Sequence, residues 1–129
     1  MTTPRIIDNK IWGPHAWAFL HAVTLSYPSQ PTCEQRTAMF VFFDSLRSVL
    51  PCPMCRQHYA KHLQKLPIQV QSREDLMMWL FELHNLVNRE LGHPQVSKQD
   101  FLENGESVYL RGQTKKTSLT KKCTSGCRV

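Results

Sequence analysis

Nothing in this 129-residue chain approaches the roughly 18 uninterrupted apolar residues that a membrane-spanning helix needs, so no membrane partner is expected. Met1–Lys10 carries Arg5, Asp8 and Lys10; it has neither the apolar stretch of a secretory signal nor the Arg/Ser-rich composition of a transit peptide. A non-secretory protein is the expectation. Acids are missing from residues 111–129, which hold Arg111, Lys115, Lys116, Lys121, Lys122 and Arg128. With those six bases set aside, residues 1–110 balance ten bases against ten acids, so the net charge of +6 belongs to a tail. A flexible, solvated tail is expected there, and no nucleic-acid partner. Also missing are internal repeats and any convincing run of strand-type alternation.

The layout of the five cysteines excludes a disulfide-stapled scaffold. Cys33 stands alone, Cys52 and Cys55 form a CxxC, and Cys123 and Cys127 form a CxxxC in the tail. Cross-links in stapled scaffolds usually join distant segments, whereas close pairs belong to redox or metal chemistry.

What is present is helical periodicity. From Ile11 to Tyr27 the apolar residues Ile11, Trp12, Ala16, Phe19, Leu20 and Val23 recur at three- and four-residue steps, ending before Pro28 and Pro31. A second helix is expected from Thr32, with Gln35 completing a capping box, through Met39, Phe40, Phe43 and Leu46 to Leu50. Pro53 suits the first turn of a third helix, which puts Cys52 at the cap and runs to about Leu66. Ser72 and Asp75 open a fourth, with Leu76, Trp79, Leu80, Leu83, Leu86, Val87 and Leu91 facing inward and Gly92 and Pro94 closing it. A shorter fifth helix is expected from Ser97 to near Leu110. The predicted fold is all-α: a four-helix bundle plus a short fifth helix in residues 1–110, followed by the tail at 111–129.

Three chemistries compete for Cys52-Pro53-Met54-Cys55. A structural zinc site needs four ligands, and the other cysteine pair begins 68 positions after Cys55 in a Gly/Ser/Lys-rich tail. A thioredoxin-type site needs neighbouring strands, and the surroundings are helical. A disulfide passing electrons to another cofactor needs only a helix N-terminus, where the dipole and free N–H groups stabilise thiolate. On that ground a lowered thiol pKa is expected for Cys55. Gly13, Trp17 and His21 stand four apart on the first helix and share a stripe, as do His84 and Asn88 on the fourth, with Asn85 adjacent. They are candidate cofactor residues; by themselves, a tryptophan in an amphipathic helix is more often core, and a lone histidine usually a satisfied side chain.

Four blocks in order carry a resemblance: Trp12-Gly13-Pro14-His15-Ala16-Trp17-Ala18-Phe19-Leu20-His21, then Tyr27-Pro28, then Pro51-Cys52-Pro53-Met54-Cys55, then Trp79 to Asn88 through Leu83-His84-Asn85-Leu86-Val87. Over about residues 11 to 110 the chain resembles the Erv/ALR family of FAD-dependent sulfhydryl oxidases, and is most like its viral branch. The resemblance implies a bundle holding FAD at one end, usually in a homodimer, and a reaction that forms disulfides in thiol-containing protein substrates with O2 as acceptor and H2O2 as product. It assigns Cys55 as donor to the flavin and Cys52 as the sulfur that exchanges with substrate. Gly13, Trp17, His21, Tyr27, His84, Asn85, Val87 and Asn88 would contact FAD, with Tyr109 where relatives place a tryptophan. Cys123 and Cys127 become a candidate shuttle dithiol; a linker of about twelve residues spans on the order of 20 Å. The cystine that commonly ties the third helix to the fourth has no counterpart, since Gln64 and Phe81 occupy the matching positions. Host cytoplasm or virion is the compartment implied, with the mitochondrial intermembrane space as the alternative. The competing expectation from another class is a non-enzymatic, zinc-binding helical module.

Overall fold

The computed structural model describes residues 3, 5 and 7–105. Among them are helices and no strand, and the chain divides into two compact units between Gln95 and Val96. The first unit holds α1 (Asn9–Ser26), α2 (Cys33–Val49), α3 (Pro53–Lys65) and α4 (Arg73–Leu91). Each begins on a side chain that satisfies a backbone N–H which the helix itself leaves unpaired. Asp8 accepts from Lys10, and Thr32 and Gln35 complete the expected reciprocal box. Ser72 accepts from Asp75, while α3 uses the sulfur of Cys52. Gly92 ends α4 at φ 74°, a left-handed conformation that costs glycine little.

α1 packs on α4 and α2 on α3. The core between them centres on Phe43, Leu76, Leu80 and Leu83, with Tyr27, Tyr59, Leu63 and Trp79 around it. The tyrosine hydroxyls and the indole N–H buried there are paired, as the cost of burying them requires. Tyr59 donates to Phe43 O at 2.6 Å, Tyr27 to Val70 O at 2.7 Å, and Trp79 Nε1 to Leu66 O at 2.8 Å. The tryptophan bond, together with a 2.8 Å hydrogen bond between His62 Nε2 and Glu90 Oε1, links α3 and its C-terminal cap to α4 without a cystine. Gln64 is exposed and Phe81 buried, so the two positions are differently placed as well as differently occupied.

Periodicity misplaced some apolar residues. Ile11, Phe19, Phe40 and Leu91, expected inward, are 66%, 60%, 44% and 57% exposed. A helix in a four-helix unit has one covered stripe, and α1 and α2 carry more apolar residues than that stripe accommodates.

The second unit opens with α5 (Lys98–Asp100), capped by Ser97, and continues into a π-helical segment at Phe101–Gly105. The expected fifth helix is therefore a single α-turn and a π-turn as far as it is described; the residues to Leu110 lie outside the described residues. Among the described residues no helix is long and apolar enough to cross a membrane.

Candidate active site

The CxxC sits where two prolines force a change of direction. Pro51 lies just beyond the end of α2, Pro53 occupies the first turn of α3, and Cys52 between them is extended at φ −157°, ψ 119°. The Cys55 N–H donates to Cys52 Sγ at 3.2 Å, so Cys52 is an N-cap made of sulfur. That bond, with the hydrogen bond from the Cys55 thiol as the largest contribution, lowers the Cys52 pKa. Cys55 has turned the other way. Burial, then its hydrogen bond to the Cys52 sulfur, pushes its thiol up to about 11. The expectation of a lowered Cys55 pKa is thus corrected: the helix terminus stabilises thiolate at the cap, and the next sulfur along is desolvated. Brief iodoacetamide treatment of the reduced protein at neutral pH is accordingly expected to alkylate Cys52 well before Cys55. Peptide mass mapping reads the order, and Cys55 reacting first would reverse the assignment.

Cys55, His58, Tyr59 and His62 follow the i, i+3, i+4, i+7 pattern of one helix face, and all four line a cavity of about 190 Å³. α1 contributes Asn9, Trp12, Gly13, Ala16, Trp17 and Leu20 to its wall; α2 contributes Phe43, Leu46 and Leu50; α4 contributes Leu80, Leu83, Val87, Glu90 and Leu91. The lining is largely apolar. Asn9 Nδ2 stands 4.0 Å from Cys55 Sγ. Of the residues singled out in the sequence, Cys55, Gly13, Trp17 and Val87 meet at this cavity.

His21 and His84 stand behind that wall. The Trp17 ring stacks on His84 with centroids 3.8 Å apart and planes within 4°, and His21 Nε2 lies 3.0 Å from His84 Nδ1. One nitrogen must donate and the other accept, which two neutral rings can do and two imidazoliums cannot. Burial, and for His21 also the charge of His84, brings the His21 pKa down to about 4; burial and His93 do the same for His84. Both values lie below the ordinary 6.5, so the unfolded chain takes up protons first as pH falls. The stabilisation is complete above pH 6.5 and is lost progressively down to about pH 4. Urea midpoints measured across that window are expected to fall, and a His21→Gln/His84→Gln variant to show a flatter profile.

The remaining assignments are scattered. Tyr27 is 2% exposed, spends its hydroxyl on Val70 O, and does not line the Cys55 cavity. Asn85 lines a separate groove with Lys65, Phe81, Glu82 and Arg89, and Asn88 is half-buried one turn beyond His84. Tyr109, Cys123 and Cys127 lie outside the described residues. Sequence reasoning missed Asn9, His58, Tyr59, His62 and Glu90. Stepping along α3 from Cys55 would have found His58, Tyr59 and His62; Asn9 and Glu90 have no local signal, because only folding brings α1 and α4 to that wall. The Glu90 carboxyl is held below its usual range chiefly by the hydrogen bond to His62. Among the described residues no group of three or more His, Cys, Asp or Glu side chains could hold a metal ion.

Comparison with known proteins meets this geometry. Residues 14–106 match the model of the Erv1/Alr family. A probable FAD-linked sulfhydryl oxidase of Acanthamoeba polyphaga mimivirus is 42% identical over 95 residues, covering 71% of this chain and 66% of that protein. The mitochondrial FAD-linked sulfhydryl oxidase ERV1 of Saccharomyces cerevisiae is 39% identical over 88 residues, covering 68% of this chain and 47% of its own length. The chain therefore matches between about half and two thirds of these curated relatives. The crystal structure of the FAD-binding domain of yeast Erv1 superposes with a TM-score of 0.70 at 35% identity, over 74% of this chain and 90% of that one. A helical unit with a CxxC at the start of its third helix, matched by the family model across most of its length, belongs to the Erv1/Alr family.

Proposed function

We propose that this chain is an FAD-linked sulfhydryl oxidase that forms disulfides in protein substrates, its electrons passing from substrate thiols to Cys52–Cys55, then to FAD and to O2, giving H2O2. One observation carries this: of the two sulfurs in the CxxC, Cys55 lines a largely apolar cavity walled by Gly13, Trp17 and Val87, while Cys52 caps the helix. The residues fit a flat heterocycle. A Cβ on Gly13 would meet nothing within 4 Å, and the stacked Trp17 and His84 rings give a planar, uncharged support at neutral pH. A volume of about 190 Å³ suits a fused-ring head rather than a whole dinucleotide. Bound there, FAD supplies the two-electron acceptor that a dithiol needs.

The chain's own residues divide the rest of the work. Cys52, the sulfur whose thiolate is stabilised, is the one that substrate thiolate attacks and that leaves again when the substrate disulfide closes. Cys55, half-buried at the cavity wall, is the donor. His21 and His84 hold Trp17 in place, and we assign Asn85, Asn88 and Tyr109 to the rest of the cofactor. Exposed Ile11, Phe19, Phe40 and Val41 on α1 and α2 offer a homodimer its apolar surface. A mitochondrial and a viral relative accord with either proposed compartment, the host cytoplasm or virion being preferred.

Purified protein is expected to be yellow, with flavin absorbance and O2 uptake on addition of dithiothreitol. Colourless protein containing stoichiometric zinc would overturn the oxidase in favour of the zinc-binding module.

A further inference from the structure

Along the chain from Val49 to Met54, Cys52 is flanked by exposed apolar residues. Val49 is 62% and Met54 63% exposed, and Pro51 and Pro53 are exposed between them. All four lie at the corner between α2 and α3, where one helix has ended and the next has barely begun. Residues 45–73 contain no acid. Of the bases nearest the corner, Arg47 is paired with Asp44 and Arg56 donates to Leu50 O, so the corner's own charges are already engaged. A single exposed apolar side chain needs no explanation; a contiguous run around a reacting sulfur does.

We propose that Val49, Pro51, Pro53 and Met54 form a docking collar for an external protein partner, bound as an extended segment whose reactive cysteine is flanked by apolar side chains. The collar rests on the proposed role of Cys52 and narrows it to a substrate class. A chain that delivers a thiolate to Cys52 Sγ brings the residues beside its cysteine to the corner that these four residues form. The competing occupant is this chain's own tail, which offers no apolar flank: Lys122 and Thr124 stand beside Cys123, and Gly126 and Arg128 beside Cys127. In the exchange, the partner's thiolate forms a bond to Cys52 Sγ as the Cys52–Cys55 bond breaks, and Cys55 leaves as thiolate. The partner's second thiolate then attacks the partner sulfur and releases Cys52. The partner loses two electrons and the pair gains them.

The test isolates this step from the flavin. In full-length protein carrying Cys33→Ser, Cys55→Ser, Cys123→Ser and Cys127→Ser, Cys52 is charged with 5-thio-2-nitrobenzoate, and release of the coloured thiolate is followed with three peptides. One has leucine and phenylalanine beside its cysteine, one serine and threonine, and one is the reduced tail sequence; each rate is divided by that of β-mercaptoethanol. The apolar peptide is expected to react about tenfold faster than the polar one, since its flanking side chains are partly buried against Val49 and Met54 as the thiolate reaches Cys52. Adding Val49→Ser and Met54→Ser should bring the ratio close to one. The same two substitutions in otherwise unchanged holoprotein should lower kcat/KM for an apolar dithiol peptide by a similar factor. Equal rates for the apolar and polar peptides, or a preference that survives both substitutions, would overturn the collar. The tail peptide reacting fastest would overturn it in favour of the chain's own tail. Because the exchange uses no cofactor, failure of the FAD-linked oxidase leaves this result readable.

Discussion

Cys55→Ser is expected to reduce dithiothreitol-driven O2 consumption by on the order of 10³-fold or more, the scale on which loss of a reacting group costs an enzyme. The same variant should still form a mixed disulfide through Cys52. The two sulfurs sit within one helical turn but in different surroundings. Cys52 is the cap, its thiolate stabilised by the Cys55 N–H and thiol, whereas Cys55 lines the cavity and has its thiol raised to about 11. On the proposed division of labour, removing Cys55 leaves the entry sulfur intact and without the partner that resolves its adduct. Cys52→Ser should also stop turnover, but for the opposite reason, since the inward sulfur remains and substrate has lost its point of attack. Mass spectrometry after brief exposure to a cysteine peptide disulfide separates them: adduct accumulates at Cys52 in the first variant, and little forms at Cys55 in the second. Full activity in Cys55→Ser, or adduct chiefly at Cys55, would contradict this division of labour.

Trp79→Ala is expected to be the most damaging single core substitution among those considered, costing about 3–5 kcal/mol and lowering Tm by roughly 15 °C or more. The indole is 4% exposed, meets Phe43 edge-to-face at 5.1 Å, and donates to Leu66 O at 2.8 Å across the gap between α4 and the end of α3. Truncation therefore opens a large cavity and leaves a carbonyl without its donor. Trp79→Phe separates the two effects, because it keeps much of the ring packing and loses the N–H; a cost of about 1–2 kcal/mol is expected. Urea denaturation of both variants measures the difference. Equal losses would mean that the hydrogen bond, rather than the packed volume, carries the tie between α3 and α4.

The helices were legible in the sequence because their signals are local. The Thr32–Gln35 box, Ser72 before α4, Pro53 in the first turn of α3 and Gly92 at the end of α4 act within a few residues, and the structure has them where the chain order places them. The same locality allowed Cys52 to be placed at a cap. It did not extend to side-chain environment. Ile11, Phe19, Phe40 and Leu91 have apolar helical spacing and still face outward, because periodicity defines a stripe and only packing chooses how wide a stripe is covered.

The chemistry of the CxxC shows the same boundary. By itself the sequence determined that Cys52 and Cys55 form a close pair at the start of a helix, with Gly13 and Trp17 as candidate cofactor residues, and the family resemblance added Val87. Tertiary structure decided which sulfur is which: α1, α2 and α4 close a cavity over Cys55, whose desolvation raises its thiol and reverses the shift that the helix terminus led one to expect. It also brought His62 to Glu90 and Trp17 to His84, contacts 28 and 67 residues apart that no spacing rule reaches. A helix terminus acts through neighbouring backbone and is written in the sequence, whereas desolvation depends on every element that excludes water and exists only once the four helices have packed.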